Sequence, residues 1–227
     1  AISDVMTGLS SCSLLAICTK ARIAYLHLFE IIFKVKKINN LTDTIKFFRE
    51  AIKTLKTSGT VMQSSSFLAK KMLQNIHFAS ADIIVELGTG NGAITKFILR
   101  KLNPTALLIC FEINENFYKT LTEIKHSQLI VLKSSAENLE EELLRLGIHE
   151  VNYIVSSLPL TIIPEKITNV ILSQSYQVLK PNGTFTQYQY SLSNRKKLKL
   201  FFRNAISLKF VFLNFPPAFI YLCKKVG

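Results

Sequence analysis

The chain has no window of about 18 uninterrupted apolar residues, so no membrane-spanning helix is expected even though hydrophobic residues make up 48% of it. The nearest candidate, residues 9–33, is broken by Lys20, Arg22, His27 and Glu30. A basic start followed by an apolar run and a small-residue cleavage site is also lacking, and a removable signal peptide is not expected. The four cysteines (Cys12, Cys18, Cys110 and Cys223) have no close-paired spacing, and Cys110 lies within an apolar strand pattern. A core role for it in a reducing compartment is the reading, rather than a disulfide. The histidines His27, His77, His126 and His149 are scattered without ligand spacing, so no metal site is expected. No internal repeat is visible. Beyond Glu165 there is no acidic residue, while Lys and Arg continue to Lys225, and the net charge is +13. Such a chain seeks an anionic partner: lipid headgroups, nucleic acid or an acidic protein.

What is present is a strand pattern that alternates with helical periodicity. Strands are expected near 82–87, 106–112, 128–132, 151–156, 184–190, 206–213 and 218–224. Helices are expected at about 67–75, 91–102, 115–126, 137–146 and 165–179, with 58–66 as a loop. A β-α alternation of this kind predicts a mostly parallel sheet with helices on both faces. The short link between the final two strands requires that they pair antiparallel. Residues 1–41 read as a helical extension without a recognisable motif, 42–75 as amphipathic helices, and 76–227 as the core of the fold. Within 42–57, Ile45, Phe48, Ile52 and Leu55 recur at helical spacing among Lys46, Arg49, Lys53 and Lys56. That stripe suits either an interfacial membrane helix or a helix packed on the domain.

The most informative segment is Glu86-Leu-Gly-Thr-Gly-Asn-Gly92, which follows the apolar run Ile83 to Val85 and precedes a helical pattern. Strand, glycine turn and helix in this order make a nucleotide-binding unit, because glycine lets backbone approach a ligand. Gly88, Gly90 and Ala93 also satisfy the loose dinucleotide fingerprint, so the glycines alone leave NAD open. Glu86, just before the turn, would repel a pyrophosphate but would pair with a cationic amino group. Glu112, closing the second strand, is spaced to accept both ribose hydroxyls, and Ser135, Ala136 and Glu137 follow the third strand where an adenine edge would lie. These features favour S-adenosylmethionine, which carries an ammonium and a sulfonium but no phosphate.

From these residues the chain resembles the class I methyltransferases and, within them, the bacterial phospholipid N-methyltransferases. The narrower resemblance rests on Lys46-Phe-Phe-Arg49, Ser58-Gly-Thr-Val-Met-Gln-Ser-Ser65, Val155-Ser-Ser-Leu-Pro-Leu160, Gln187-Tyr-Gln-Tyr190 and Asn214-Phe-Pro-Pro-Ala218. It departs from the family pattern at Gln63, Ser135 and Ser157. The resemblance implies a Rossmann-like, seven-stranded, mostly parallel sheet with an antiparallel last strand and an N-terminal amphipathic extension. It implies S-adenosylmethionine as cofactor, held by Glu86, Gly88, Thr89, Gly90, Gly92, Glu112, Ile113, Ser135, Ala136, Glu137 and Ser156.

The implied reaction is N-methylation of an amine headgroup such as phosphatidylethanolamine, at the inner face of the cell membrane. Tyr190 and then Tyr188 are the candidates for orienting or deprotonating the amine. By strand alternation they point the same way. Ser64, Ser65, Ser157, Leu158, Pro159 and Arg195 are the candidate lipid contacts, and Phe48, Arg49 and Lys53 the candidate membrane contacts. Ornithine lipid and RNA adenine remain alternative acceptors. Against a nucleobase, Leu160 follows Pro159 where RNA adenine dimethylases carry a stacking aromatic.

Overall fold

A computed structural model describes residues 61–212 and 217–227, with side chains from residue 66 onward in the first segment. The chain divides into two compact units, Ala1–Val61 and Met62–Gly227. The candidate membrane residues Phe48, Arg49 and Lys53, the substrate-loop side chains Ser64 and Ser65, and residues 214–216 of the closing motif lie outside what is described.

The second unit is built on seven strands: β1 (Ile83–Leu87), β2 (Leu107–Phe111), β3 (Leu129–Leu132), β4 (Val151–Ser156), β5 (Leu179–Gln189), β6 (Ile206–Val211) and β7 (Ala218–Lys224). They form one sheet in the order β3-β2-β1-β4-β5-β7-β6. The first five pair parallel, whereas β7 runs antiparallel between β5 and β6. The hairpin of β6 and β7 is the antiparallel pair that the short final link requires. The central strands are runs of Ile, Leu and Val because helices cover both their faces.

The helices are α1 (Val61–Leu73), α2 (Ala93–Leu99), α3 (Glu115–Thr122), α4 (Leu139–Arg145), α5 (Glu165–Val178) and α6 (Arg195–Phe202). On one face, Leu139 and Leu143 of α4, Ile171 and Leu172 of α5, and Leu198 and Phe202 of α6 pack against Val85, Ile109, Ile154, Phe185 and Tyr221. On the other, Leu68, Ala69, Met72 and Leu73 of α1 and Ile94 and Ile98 of α2 pack against Ile84, Leu108, Val155 and Ile220. Cys110 and Cys223 are buried free thiols in these layers, in keeping with the core reading of Cys110.

Two local features differ from the sequence reading. Residues 61–66 are the first turns of α1 and not a loop, since the serines there do not outweigh the apolar face on which the rest of the helix packs. In β5, Leu179 pairs with Val151 but the next pair is Thr184 with Tyr153, so residues 180–183 loop out between them. Asn182 takes a positive φ of 66° at that bulge, a conformation asparagine tolerates better than most residues.

Candidate active site

The site assembles at the C-terminal ends of the parallel strands, where ligands of open α/β sheets bind. Gly88, Gly90 and Gly92 all have positive φ, at 72°, 56° and 75°. Their surroundings differ. A Cβ on Gly88 would meet Leu158 Cδ2 at 2.8 Å and one on Gly92 would meet Leu121 Cδ2 at 3.0 Å, whereas one on Gly90 would enter open space. Gly88 and Gly92 are therefore glycine for packing, and Gly90 is the point at which a ligand has room to reach the backbone.

Two buried carboxylates flank this turn. Glu86 is fully buried on the α2 face of β1, next to Ile84 in the same alternation. Its Oε2 accepts hydrogen bonds from Thr95 Oγ1 (2.7 Å) and Cys110 Sγ (3.6 Å), while its Oε1 has no partner. Burial raises its pKa to about 8, against the opposing effect of the Thr95 and Cys110 bonds. Glu112 Oε2 accepts from Gly90 N (2.8 Å) and Thr89 Oγ1 (3.4 Å), and Oε1 accepts from Asn114 N (2.8 Å). Burial raises the Glu112 pKa as well, offset in part by these backbone donors. Asn114 in turn caps α3, accepting from the amides of Asn116 and Phe117.

The expected role of Glu112 toward a ribose meets a concrete constraint here. A carboxylate offers about four acceptor sites, and three are already used within the turn. Accepting two hydroxyls requires the longest of these bonds, from Thr89, to give way. Ile113, the next residue, is half exposed, an apolar side chain beside a carboxylate as an adenosine requires. Ser135 accepts a hydrogen bond from Glu137 N and Ala136 is buried. Glu137 lines a shallow cleft of about 330 Å³ with Asn138, Lys166, Ile167 and Val170. That cleft includes no residue of the glycine turn, so it is peripheral to the cradle.

The loop after β4 closes over the turn. Ser156 is buried and its Oγ accepts from Leu158 N at 3.4 Å. Ser157 N donates to Leu87 O at 2.9 Å, which ties the loop to the end of β1. The Leu158 carbonyl accepts from two side chains of β5, Gln187 Nε2 at 2.9 Å and Gln189 Nε2 at 3.0 Å. Sequence reasoning noted Gln187 only as part of a motif and did not see this clamp. Its signal is the alternation of Gln-Tyr-Gln-Tyr, which sends the glutamines to the face opposite the tyrosines. Thr95 was also missed; it is a polar residue on the otherwise apolar inner face of α2, directly under a buried acid. Leu160 is buried in the core, so the position that would carry a stacking aromatic faces inward.

Tyr188 and Tyr190 lie on the α1 face of β5, with ring centroids 5.7 Å apart at 78°. Burial, reinforced by the neighbouring Tyr190 hydroxyl, holds the Tyr188 pKa far above that of an ordinary phenol. Arg195 is exposed at the start of α6, near the Tyr221 hydroxyl. Among the described residues no group of three or more His, Cys, Asp or Glu side chains is placed to hold a metal ion.

Sheet order, antiparallel β7, glycine turn and flanking acids together define the fold of class I S-adenosylmethionine-dependent methyltransferases. No protein-family model matches the chain. Over 183 residues the chain is 28% identical to the ornithine lipid N-methyltransferase of Singulisphaera acidiphila, a match covering 80% of this chain and 93% of that protein. Its fold is similar to that of Burkholderia thailandensis 1,6-didemethyltoxoflavin-N1-methyltransferase, solved with S-adenosylhomocysteine bound (TM-score 0.58, 12% identity, 82% of this chain and 87% of that chain). It is similar also to a T. thermophilus 16S rRNA methyltransferase solved with S-adenosylmethionine and guanosine (TM-score 0.53, 18% identity, 71% of this chain and 43% of that chain). The residues of the turn fit that cofactor: a fully buried carboxylate with an unpartnered oxygen suits an ammonium, and the open space at Gly90 suits close approach.

Proposed function

We propose that this protein is an S-adenosylmethionine-dependent N-methyltransferase acting on the amine of a membrane lipid headgroup, with ornithine lipid as the favoured acceptor. The observation that carries this reading is the similarity to an ornithine lipid N-methyltransferase over 93% of that protein's length. The inward-facing Leu160, which removes the stacking platform a flipped base needs, supports a lipid over a nucleobase.

The cofactor would supply an electrophilic methyl on a sulfonium. Glu86 and the glycine turn would hold its amino-acid end, and Glu112 with Ile113 its adenosine. Transfer from sulfonium to amine conserves net charge, so the chain's task is placement: the nitrogen must sit about 3 Å from the methyl carbon on the carbon–sulfur axis. Ser156, Ser157 and the pinned Leu158-Pro159 segment form the rim where that amine would be placed. The amine must arrive neutral, and removal from water beside a cation favours its loss of a proton. Tyr190 is the group that would orient it, and the paired rings would hold a methylated ammonium by cation–π attraction. Arg195, exposed on the same edge, would meet an anionic part of the lipid. Such an enzyme would work while peripherally bound to the inner face of the membrane, where its lipid acceptor lies; among the described residues no helix is long and apolar enough to cross one.

The test is incubation with methyl-labelled S-adenosylmethionine and mixed micelles of either ornithine lipid or phosphatidylethanolamine, followed by thin-layer separation. Label is expected in ornithine lipid at a rate at least about tenfold above phosphatidylethanolamine. Label confined to phosphatidylethanolamine would shift the reading to a phospholipid acceptor. Label in added RNA and in neither lipid would refute lipid methylation altogether.

A further inference from the structure

The second unit exposes large apolar side chains unevenly. Of the ten exposed large apolar residues among those described, five fall within residues 192–212: Leu192, Leu200, Leu208, Phe210 and Phe212, which are 45%, 77%, 37%, 58% and 69% exposed. These are residues a folded surface ordinarily covers, above all the two phenylalanines.

Their placement is not random. Helix α6 buries Leu198 and Phe202 against the sheet, so its opposite face carries Lys196, Lys199, Leu200 and Arg203, at helical spacings of three, one and three residues. All four are exposed. The net effect is a leucine set among three cations. Along β6, Leu208 and Phe210 share the face of the sheet that α6 covers, by alternation with Ile206. Phe210 lies 5.0 Å from Phe219 of β7, ring to ring. Because β6 runs parallel to β1 through β5, Phe210 and Phe212 lie at the same end of the sheet as the glycine turn. The loop leaving β5, with Leu192 and then Arg195, emerges at that end too.

We infer that this α6–β6 edge is a docking face for an anionic lipid surface, in which Leu192, Leu200, Phe210 and Phe212 enter the headgroup zone and Lys196, Lys199 and Arg203 meet lipid phosphates. Charge complementarity selects the occupant. From residue 166 to the end the chain carries ten Lys or Arg and no Asp or Glu, and aliphatic and aromatic tips among cations are the composition of an interfacial element. A nucleic acid would reward the cations but not the solvent-facing leucines. The inference rests on the lipid reading above and deepens it: α6 runs back from the ligand end of the sheet to Ala205, beside Lys224, so Leu192, Phe210 and Phe212 at the ligand end would bring headgroups to the loop after β4 while the rest of α6 holds the edge against the layer, without extracting the lipid from it.

The experiment is flotation of the full chain with phosphatidylcholine vesicles, with and without an equal part of phosphatidylglycerol. Methylation of acceptor lipid in detergent micelles is measured in parallel. Wild type is expected to float with the anionic vesicles, less so at high salt. Lys196→Glu with Lys199→Glu should weaken flotation at least about tenfold, and Leu200→Ser with Phe212→Ser should do the same with little change in salt dependence. Both variants should retain micellar methylation. The lysine pair faces solvent, so that variant keeps its fold even where the apolar pair does not. Unchanged flotation in the lysine variant overturns the docking face, as does wild type that ignores anionic vesicles but changes oligomeric state when Leu200 and Phe212 are replaced. Flotation lost with these substitutions, from a protein that methylates no lipid in micelles, upholds the face and refutes the lipid-methylation reading instead.

Discussion

Glu86 is the residue whose chemistry is furthest from ordinary. A carboxyl with a pKa near 8 stays largely protonated from about pH 4.5, where its unfolded counterpart ionises, up to about 8. Between those values the folded state binds more protons than the unfolded one, so this group's contribution to stability falls as pH rises from about 4.5 to 8. Glu86→Gln is nearly isosteric and cannot titrate. Urea unfolding of wild type across that window should decline more steeply than that of the variant, and parallel slopes would contradict the raised pKa. An ammonium at Oε1 would restore the charged form and expel the proton. Cofactor affinity in wild type should therefore rise toward pH 8, by up to about tenfold per unit, and calorimetry in two buffers of different ionisation enthalpy should detect proton release. The second residue-scale expectation concerns Gln189. Replacing it by Leu removes one of the two side-chain donors to the Leu158 carbonyl, which also accepts from Leu160 N, and costs roughly 1 kcal/mol of stability. A loosened acceptor rim should lower kcat by about tenfold while cofactor affinity stays within about threefold. Full kcat in a folded Gln189→Leu would mean that Gln187 alone positions the loop.

At the scale of elements, the glycine turn separates packing from ligand approach. Gly88→Ala combines a φ of 72° with a 2.8 Å encounter with Leu158, and should destabilise the protein by about 1–3 kcal/mol. Gly90→Ala meets no neighbour within 4 Å, so its stability cost should stay near 1 kcal/mol. Its methyl nevertheless occupies the space through which a ligand reaches the backbone, and cofactor affinity by calorimetry should fall at least about tenfold. Wild-type affinity in Gly90→Ala would move the cradle elsewhere. The elements themselves were largely legible. Ile83 to Val85 and Leu107 to Phe111 are apolar runs closed by an acid, and the 3.6-residue patterns between them leave little choice about helices. What escaped was long-range or counter to local propensity. The serines of 61–66 look like a loop until the packing of Leu68 and Met72 is known, and the looping-out of 180–183 depends on the partner strand β4. The candidate site divides the same way: motif residues around Gly88 to Gly92 could be read from spacing. The turn to which Glu112 is already bound, the Gln187–Gln189 clamp and the Thr95 contact join residues 9 to 31 positions apart, and pattern alone does not specify such pairs.

For the molecule as a whole, the cofactor should act as a missing piece of the sheet's ligand end. The glycine turn, the Glu112–Asn114 cap and the β4 loop come from separate stretches of chain, and they meet there through a few hydrogen bonds. A ligand contacting all three binds the folded state only, and at a hundredfold excess over Kd it adds about 2.7 kcal/mol of stability. For a domain of this size that corresponds to a rise in Tm of roughly 5–10 °C. Glu112→Ala should abolish the shift, because the same carboxylate that orders Gly90 is the one assigned to the ribose. It should also lower the ligand-free Tm, since the Gly90 and Asn114 amides lose a charged acceptor. The two effects are separable: a variant that melts lower but shifts by the full amount would show Glu112 to be a scaffold of the turn and nothing more. Glu112→Gln sharpens the comparison. It keeps an acceptor for Gly90 or Asn114 but offers a ribose only a neutral amide, so most of the ligand-free stability should return while the shift stays well below that of wild type.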